Sequence, residues 1–129
     1  MQLLIYASPD SAIGRDLEKR IRTLQLEIPS TYCTSLMALA KLLRKPMELP
    51  SIGIILLSNE HELTDLIGMR HLLRDMRLIV VLPGSSQTNI SHAQAHLLRP
   101  RFITYADKNL EEVTDVLWKM KTAVHHAAS

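Results

Sequence analysis

Histidines are the first residues of this chain whose type and spacing suggest chemistry. His92 and His96 are four residues apart, so on a helix they would share one face and offer two zinc ligands. A zinc site needs a third or fourth ligand, and the segment around the pair contains no Cys, Asp or Glu. We therefore interpret both histidines as solvated side chains and predict no metal site.

Hydroxyl side chains form a second candidate group. Ser8, Ser58, Ser85 and Tyr105 each stand at or just after the end of a short apolar run. In an open α/β sheet, such ends form the edge at which ligands bind. Hydroxyls there can hold a small ligand or an anion, and they can equally serve as helix caps and turn residues. No nucleophile accompanied by a base and an orienting group is evident, so we expect no enzymatic activity.

The single cysteine and the length of the apolar runs indicate where in the cell the protein is located. Cys33 is the single cysteine, so it cannot form an internal disulfide, which suits a reducing environment. No neighbouring cation would lower its pKa, and we predict a buried, unreactive thiol. No run reaches the ~18 apolar residues that span a bilayer, and the first residues lack the features of a signal peptide. We expect a cytoplasmic protein without a membrane partner.

The elements that must position these side chains are five short apolar runs alternating with five helical patterns. The runs cover residues 3–6, 28–33, 52–57, 78–82 and 102–105. They are almost continuously apolar, which is typical of parallel strands that helices cover on both faces. The alternation of strand and helix predicts an α/β protein with a parallel sheet.

The helical patterns carry apolar stripes with helical spacing. The stripes are Ile13, Leu17, Ile21 and Leu24; Leu36, Leu39, Leu42 and Leu43; Leu63, Leu66, Ile67, Leu73 and Met76; Ile90, Ala93, Leu97 and Leu98; and Leu110, Val113, Leu117, Met120 and Val124. Ser8-Pro9 predicts the capped start of the first helix. Asn59 and Glu62 have the spacing of a capping box.

Length and charge limit the remaining possibilities. A chain of 129 residues predicts one domain, here residues 1–124, followed by a short tail at 125–129. The formal net charge is +2, and lysines and arginines are spread over several helices without interleaved aromatic residues. We therefore expect no nucleic-acid partner.

The order and spacing of these elements, over roughly residues 2–124, resemble the receiver domain of two-component response regulators. Residues 54–57 resemble the central third strand of that family, and residues 102–105 followed by 110–113 resemble its fifth strand and last helix. The resemblance implies an α/β, flavodoxin-like (βα)5 three-layer sandwich. Its five-stranded parallel sheet would have the order 2-1-3-4-5.

The residues that an active receiver needs in order to be phosphorylated are replaced in this chain. The resemblance places the acidic pair at Ala7 and Ser8, the phosphoacceptor aspartate at Ser58, the Thr or Ser at Leu82 or Pro83, and the lysine at Tyr105. A serine cannot form the acyl phosphate of an aspartate, and magnesium sites usually require carboxylates. We predict a pseudo-receiver with no catalytic residue, cofactor or metal.

The predicted function is signal transduction by protein–protein contact, without aspartyl phosphorylation. The alternative is a domain that binds a small ligand or an anion at the hydroxyl-lined edge. In receivers, the face formed by the fourth helix, fifth strand and fifth helix commonly contacts a partner or a second copy. Arg101, Tyr105 and Trp118 would lie on or near that face and are the candidate interface residues for a protein partner or homodimer. Trp118 lies off the apolar stripe of its helix, so it either anchors a partner or folds over the edge of the core.

Overall fold

The computed structural model describes residues 2–8, 11–24, 28–45, 51–83, 92–105 and 110–128, the last range with side chains up to Thr122. The strands are β1 (Gln2–Tyr6), β2 (Ser30–Cys33), β3 (Ser51–Leu56), β4 (Met76–Leu82) and β5 (Phe102–Tyr105). The α-helices in these ranges are α1 (Ala12–Thr23), α2 (Leu36–Leu43), α3 (Glu60–Gly68), α4 (Arg70–Leu73), α5 (His92–Ala95) and α6 (Glu111–Ala128). A 3-10 turn, His96–Leu98, follows α5.

The five strands form one parallel sheet in the order β2-β1-β3-β4-β5. This arrangement confirms the predicted flavodoxin-like α/β fold. The strands are in register at their ends, because Tyr6 is aligned with both Cys33 and Ile55, and Leu82 is aligned with Tyr105. The carboxyl ends of the strands therefore meet at one edge, and their amino ends meet at the opposite edge.

Apolar side chains cover both faces of the sheet and make a three-layer structure. On one face, strand residues such as Leu4, Ile55 and Val80 pack with helices α2 to α5. On the other face, strand residues such as Leu3 and Ile54 pack with α1 and α6. Strands between two helical layers have no wet side, which explains their continuously apolar sequence.

The first helix begins later than the sequence indicated. Its N-cap is Ser11, whose Oγ accepts a hydrogen bond from the Gly14 backbone N–H at 2.9 Å. The prediction of a cap at Ser8 is therefore wrong; the Ser8 carbonyl instead accepts a hydrogen bond from the Ser11 backbone N–H. Either serine could cap a helix, so the sequence does not decide between them. The cap is Ser11 because α1 begins at Ala12 in the folded structure.

The apolar stripe of α1 differs from the predicted one at its first position. Ile13 is 37% exposed, and Gly14 is buried in its place beside Leu17 and Ile21. A Cβ atom at residue 14 would lie 2.8 Å from the Ala7 Cβ. Glycine at this position thus allows α1 to approach the end of β1 closely.

Two predicted helical patterns are interrupted. The third breaks at Met69, whose φ of −110° and ψ of 18° are not helical, directly after Gly68, a weak helix former. Met76, predicted on this helix, instead begins β4. In the described part of the fourth pattern, α-helix covers His92–Ala95 before the 3-10 turn, and Ile90 lies outside the described residues. The buried residues of this part are Ala95 and Leu98, whereas Leu97 is 50% exposed.

The last helix agrees with its predicted stripe as far as Met120, and the side chain of Val124 lies outside the described residues. Leu110, which precedes α6, and Val113 and Leu117 within it are buried, and Met120 is partly buried against the same core. The helix continues to Ala128, through most of the segment predicted as a tail. In the described ranges, no helix combines the length and apolarity that crossing a membrane requires.

Candidate functional site

The carboxyl edge of the sheet is where this fold places a ligand site. The hydrogen-bond ladder extends one residue past two strands, because Ala7 N–H donates to Cys33 O (3.1 Å) and Leu57 N–H donates to Val81 O (2.9 Å). Ser8 and Ser58 follow these residues directly, so the topology brings both serines to the same edge.

The positions aligned with the receiver phosphorylation site differ in exposure. Ser58 is exposed, whereas Ala7, Ser8, Pro83 and Tyr105 are partly buried. All five lie at or beside the carboxyl ends of β1, β3, β4 and β5. Ser85, the remaining hydroxyl of the predicted group, lies outside the described residues.

A buried tyrosine, which the sequence analysis did not single out, provides a polar contact at this edge. Tyr6, at the end of β1, is 4% exposed, and its hydroxyl donates a 2.9 Å hydrogen bond to Glu62 Oε2 at the start of α3. Burial raises the pKa of Tyr6 above its ordinary value. The hydrogen bond to Glu62 and the charges of Glu62 and Asp65 shift it in the same direction. The phenol therefore stays neutral and acts as a donor.

The Tyr6 contact also changes the predicted role of Glu62. Asn59 caps α3 as predicted, with its Oδ1 accepting from the Glu62 backbone N–H at 3.0 Å. The Glu62 carboxylate, however, accepts from the Tyr6 hydroxyl. The sequence feature that could have indicated this contact is a tyrosine within an apolar strand, because a buried phenol usually has a hydrogen-bond partner.

A small cavity of about 100 Å³ lies at the carboxyl ends of β1 and β2, against the first turns of α1. Its polar lining includes Ser8, Arg15, Glu18, Tyr32 and Thr34. Burial raises the pKa of the Tyr32 phenol, and the Glu18 charge adds to the increase while Arg22 opposes it. The volume is well below the ~300–1,000 Å³ of typical ligand pockets, so the cavity suits only a small ion or molecule.

Cys33 also lines this cavity at the end of β2. The side chain is 6% exposed, and burial raises the pKa of its thiol. A raised pKa disfavours the thiolate, which is the nucleophilic form. The position agrees with the predicted burial of this cysteine.

Two of the candidate interface residues, Arg101 and Tyr105, lie at the two ends of the edge strand β5, and the third, Trp118, lies on α6. Trp118 is 48% exposed on α6, and Lys121 Nζ lies 5.3 Å from the centroid of its ring, within cation–π distance. Arg101 is exposed, and its backbone N–H donates to Leu78 O at 2.7 Å just before β5 begins. The exposure of Trp118 agrees with its predicted position off the apolar stripe of its helix.

The tyrosine and the tryptophan belong to different faces of the sheet. Tyr105 packs against the core under α2 to α5, whereas α6 covers the opposite face. β5 is the last strand on one side of the described sheet. Tyr105 and Trp118 therefore belong to opposite layers of the molecule rather than to one helix face.

The predicted histidine pair does not lie on one continuous α-helix. The four-residue helix α5 begins at His92 and ends at Ala95, and His96 starts the 3-10 turn. His96 is exposed, and the His92 side chain lies outside the described residues. In the described ranges, no three His, Cys, Asp or Glu side chains are grouped in a way that could hold a metal ion.

Comparisons with known proteins add no family assignment. No protein-family model matches the chain, and no curated protein or solved structure shows a significant match to it.

Proposed function

We propose that this protein is a non-enzymatic signalling module, a pseudo-receiver that acts through protein–protein contact without aspartyl phosphorylation. The observation that supports it is the sheet order β2-β1-β3-β4-β5, which brings Ala7, Ser8 and Ser58 to one edge. In a receiver with this topology, that edge holds the carboxylates. Methyl and hydroxyl groups cannot replace a carboxylate in forming an acyl phosphate.

The proposed contact surface combines the exposed part of α6 around Trp118 with β5, an edge strand of the described sheet. A half-exposed tryptophan is well suited to anchor an interface, because tryptophan is enriched among the residues that dominate binding energy. Edge strands are the elements of a sheet to which a second chain can add by backbone hydrogen bonds. We propose a second copy of the chain as the partner, in a symmetric dimer that buries Trp118.

The absence of aspartyl phosphorylation is tested by incubating the protein with a small phosphodonor and magnesium and measuring its intact mass. We expect no gain of a phosphoryl group. A gain that is lost at alkaline pH, as an acyl phosphate is, would contradict the pseudo-receiver proposal. Ser58→Asp, which places a carboxylate at the aligned position, is the companion variant.

The dimer is tested by sedimentation equilibrium of the wild type, Trp118→Ala and Met37→Ala. Met37 is a matched control, because it is 73% exposed on α2 beside the opposite edge strand. We expect the wild type and Met37→Ala to dimerise and Trp118→Ala to be monomeric with an unchanged circular dichroism spectrum. A monomeric wild type, or equal weakening by both variants, would contradict the proposed surface.

The cavity at the ends of β1 and β2 favours a second candidate function, the binding of a small anion. Arg15 and the hydroxyls of Ser8 and Thr34 line it. A thermal-shift titration with inorganic phosphate tests this function, with Arg15→Gln as the variant. Stabilisation of the wild type that Arg15→Gln abolishes would favour anion binding over the contact module.

A further inference from the structure

A larger groove, of about 410 Å³, opens at the amino edge of the sheet, away from the site described above. Its walls come from α4 with the adjoining Arg74 and from the 3-10 turn with the adjoining Arg99. β4 begins at this edge with Met76, which also lines the groove. The volume lies within the ~300–1,000 Å³ range of small-molecule pockets.

Five of the nine residues that line this groove have basic side chains. They are Arg70, His71, Arg74, His96 and Arg99, and no carboxylate joins them in the described part of the chain. The buried side chains of Leu73 and Leu98 contribute an apolar floor. Several cations that share a concave, partly apolar site concentrate a positive potential there, and this attracts anions.

The arginines of the groove differ from those of α1 in their partners. On α1, Arg20 pairs with Asp16 and Arg22 pairs with Glu18, each one helical turn away. Among the described residues, no carboxylate forms such a pair with the guanidinium groups of the three groove arginines. Their hydrogen-bonding capacity remains available to a ligand.

Arg99 adds a backbone observation. It has a φ of 54° and a ψ of 53°, the left-handed conformation, and it is the only non-glycine residue with positive φ in the described ranges. Its N–H closes the turn by donating to His96 O at 2.9 Å. Glycine or asparagine adopts this conformation more easily than arginine, so folding alone does not explain an arginine here.

We propose that the groove binds a small organic molecule that carries two or more phosphate groups. A planar guanidinium group can donate two parallel hydrogen bonds to the oxygens of one phosphate. Three guanidinium groups offer more donors than one phosphate needs, so we expect a ligand with at least two phosphates. The apolar floor provides contact area for the organic part of the ligand. The groove is separate from the β5 edge, so the proposal does not depend on the proposed dimer.

The test is isothermal titration calorimetry with inorganic pyrophosphate and ADP, with adenosine as the uncharged control. Arg70→Gln, Arg74→Gln and Arg99→Gly each remove one guanidinium group from an exposed side chain. We expect the wild type to bind both phosphate compounds and not adenosine. Each variant should weaken binding by roughly tenfold or more, as expected for loss of a hydrogen bond to a charged group.

Lys119→Gln is the matched control, because it removes one positive charge from an exposed position on α6, outside both the groove and the cavity at the carboxyl edge. We expect it to bind the two probes as the wild type does. Equal weakening by this control would overturn the proposal, since binding would then follow net charge. A wild type that binds neither probe would also overturn it, as would a preference for a single-stranded oligonucleotide that the groove variants abolish.

Discussion

The two edges of the sheet use their polar side chains differently. At the carboxyl edge, two polar side chains are engaged within the fold: Ser11 caps α1, and Tyr6 donates to Glu62. At the amino edge, arginines line an open groove without a carboxylate beside them in the described chain. Polar side chains that are hydrogen-bonded within the fold at one edge therefore contrast with the groove arginines at the other.

The direction of the helices explains part of this difference. Helices that connect parallel strands begin at the carboxyl edge and end at the amino edge. Their first N–H groups require acceptors such as Ser11, Ser35 and Asn59, each of which caps a helix here. Their last carbonyl groups favour nearby cations. The direction of the helices thus explains why hydroxyls lie at one edge and arginines at the other. It does not explain why the arginines line a concave groove.

The largest effect that we expect concerns the floor of the amino-edge groove. Leu98→Ala should lower the free energy of unfolding by about 2–5 kcal/mol, because its buried side chain would leave a cavity. Leu97→Ala, at the exposed neighbouring position, should change it by less than about 0.5 kcal/mol. Urea unfolding of both variants measures the difference. Equal losses would mean that the 3-10 turn does not set the orientation of this segment.

The close packing at the carboxyl edge is tested by Gly14→Ala. The added Cβ would meet the Ala7 Cβ at 2.8 Å, and such overpacking costs about 1–3 kcal/mol. Gly68→Ala is the control, because nothing lies within 4 Å of the added atom there. It should stabilise the helix by up to about 1 kcal/mol. If thermal unfolding shows both variants to be stabilised, the approach of α1 to β1 is looser than described.

The hydrogen bond of Tyr6 predicts a dependence of stability on alkaline pH. The folded state holds the phenolic proton more tightly than the unfolded state, whose tyrosine has a pKa of about 10. The resulting stability is fully present below pH ~10 and falls as the pH rises further, while the unfolded chain ionises.

Tyr6→Phe should remove this part of the alkaline loss and lower stability near pH 8 by roughly 1 kcal/mol, the value of one hydrogen bond. Urea titrations at pH 8 and pH 11 check both expectations. Tyr32→Phe is the companion variant, since the pKa of Tyr32 is also raised. An alkaline loss that is the same in the wild type and Tyr6→Phe would contradict the role assigned to the buried phenol.

The smallest effect concerns Arg99 and has the opposite sign. Arg99→Gly should raise the free energy of unfolding by about 1 kcal/mol, because glycine adopts the left-handed conformation without the Cβ clash. Pyrophosphate binding should weaken in the same variant. A variant that is less stable than the wild type by chemical denaturation would mean that the Arg99 side chain supports the fold itself.

The sequence was most informative where burial alone determines structure. The five apolar runs agree closely with the strands, and β5 has the predicted bounds. Errors occur where two residues could serve the same local role, as with Ser8 and Ser11 at the start of α1. They also occur in short helical segments such as α5, where four residues are too few for the periodicity to fix which side faces the core.

The site was less predictable than the fold. The sequence places Ser8 and Ser58 at the ends of strands, which suffices to expect them at one edge once the strands are parallel. It does not pair Tyr6 with Glu62, which is 56 residues away. Nor does it join Arg70 and Arg74 to Arg99, which belong to different chain segments that meet only in the folded molecule.

The sequence by itself determined the class of this protein, because continuously apolar strands alternating with amphipathic helices can bury their apolar side chains only in a layered α/β structure. It also determined which residue types stand at the ends of the strands. Only the tertiary structure decided which helix face is buried at Gly14, which carboxylate the Tyr6 hydroxyl contacts and which arginines share a groove. These features depend on distances between residues far apart in the chain, which local periodicity does not encode.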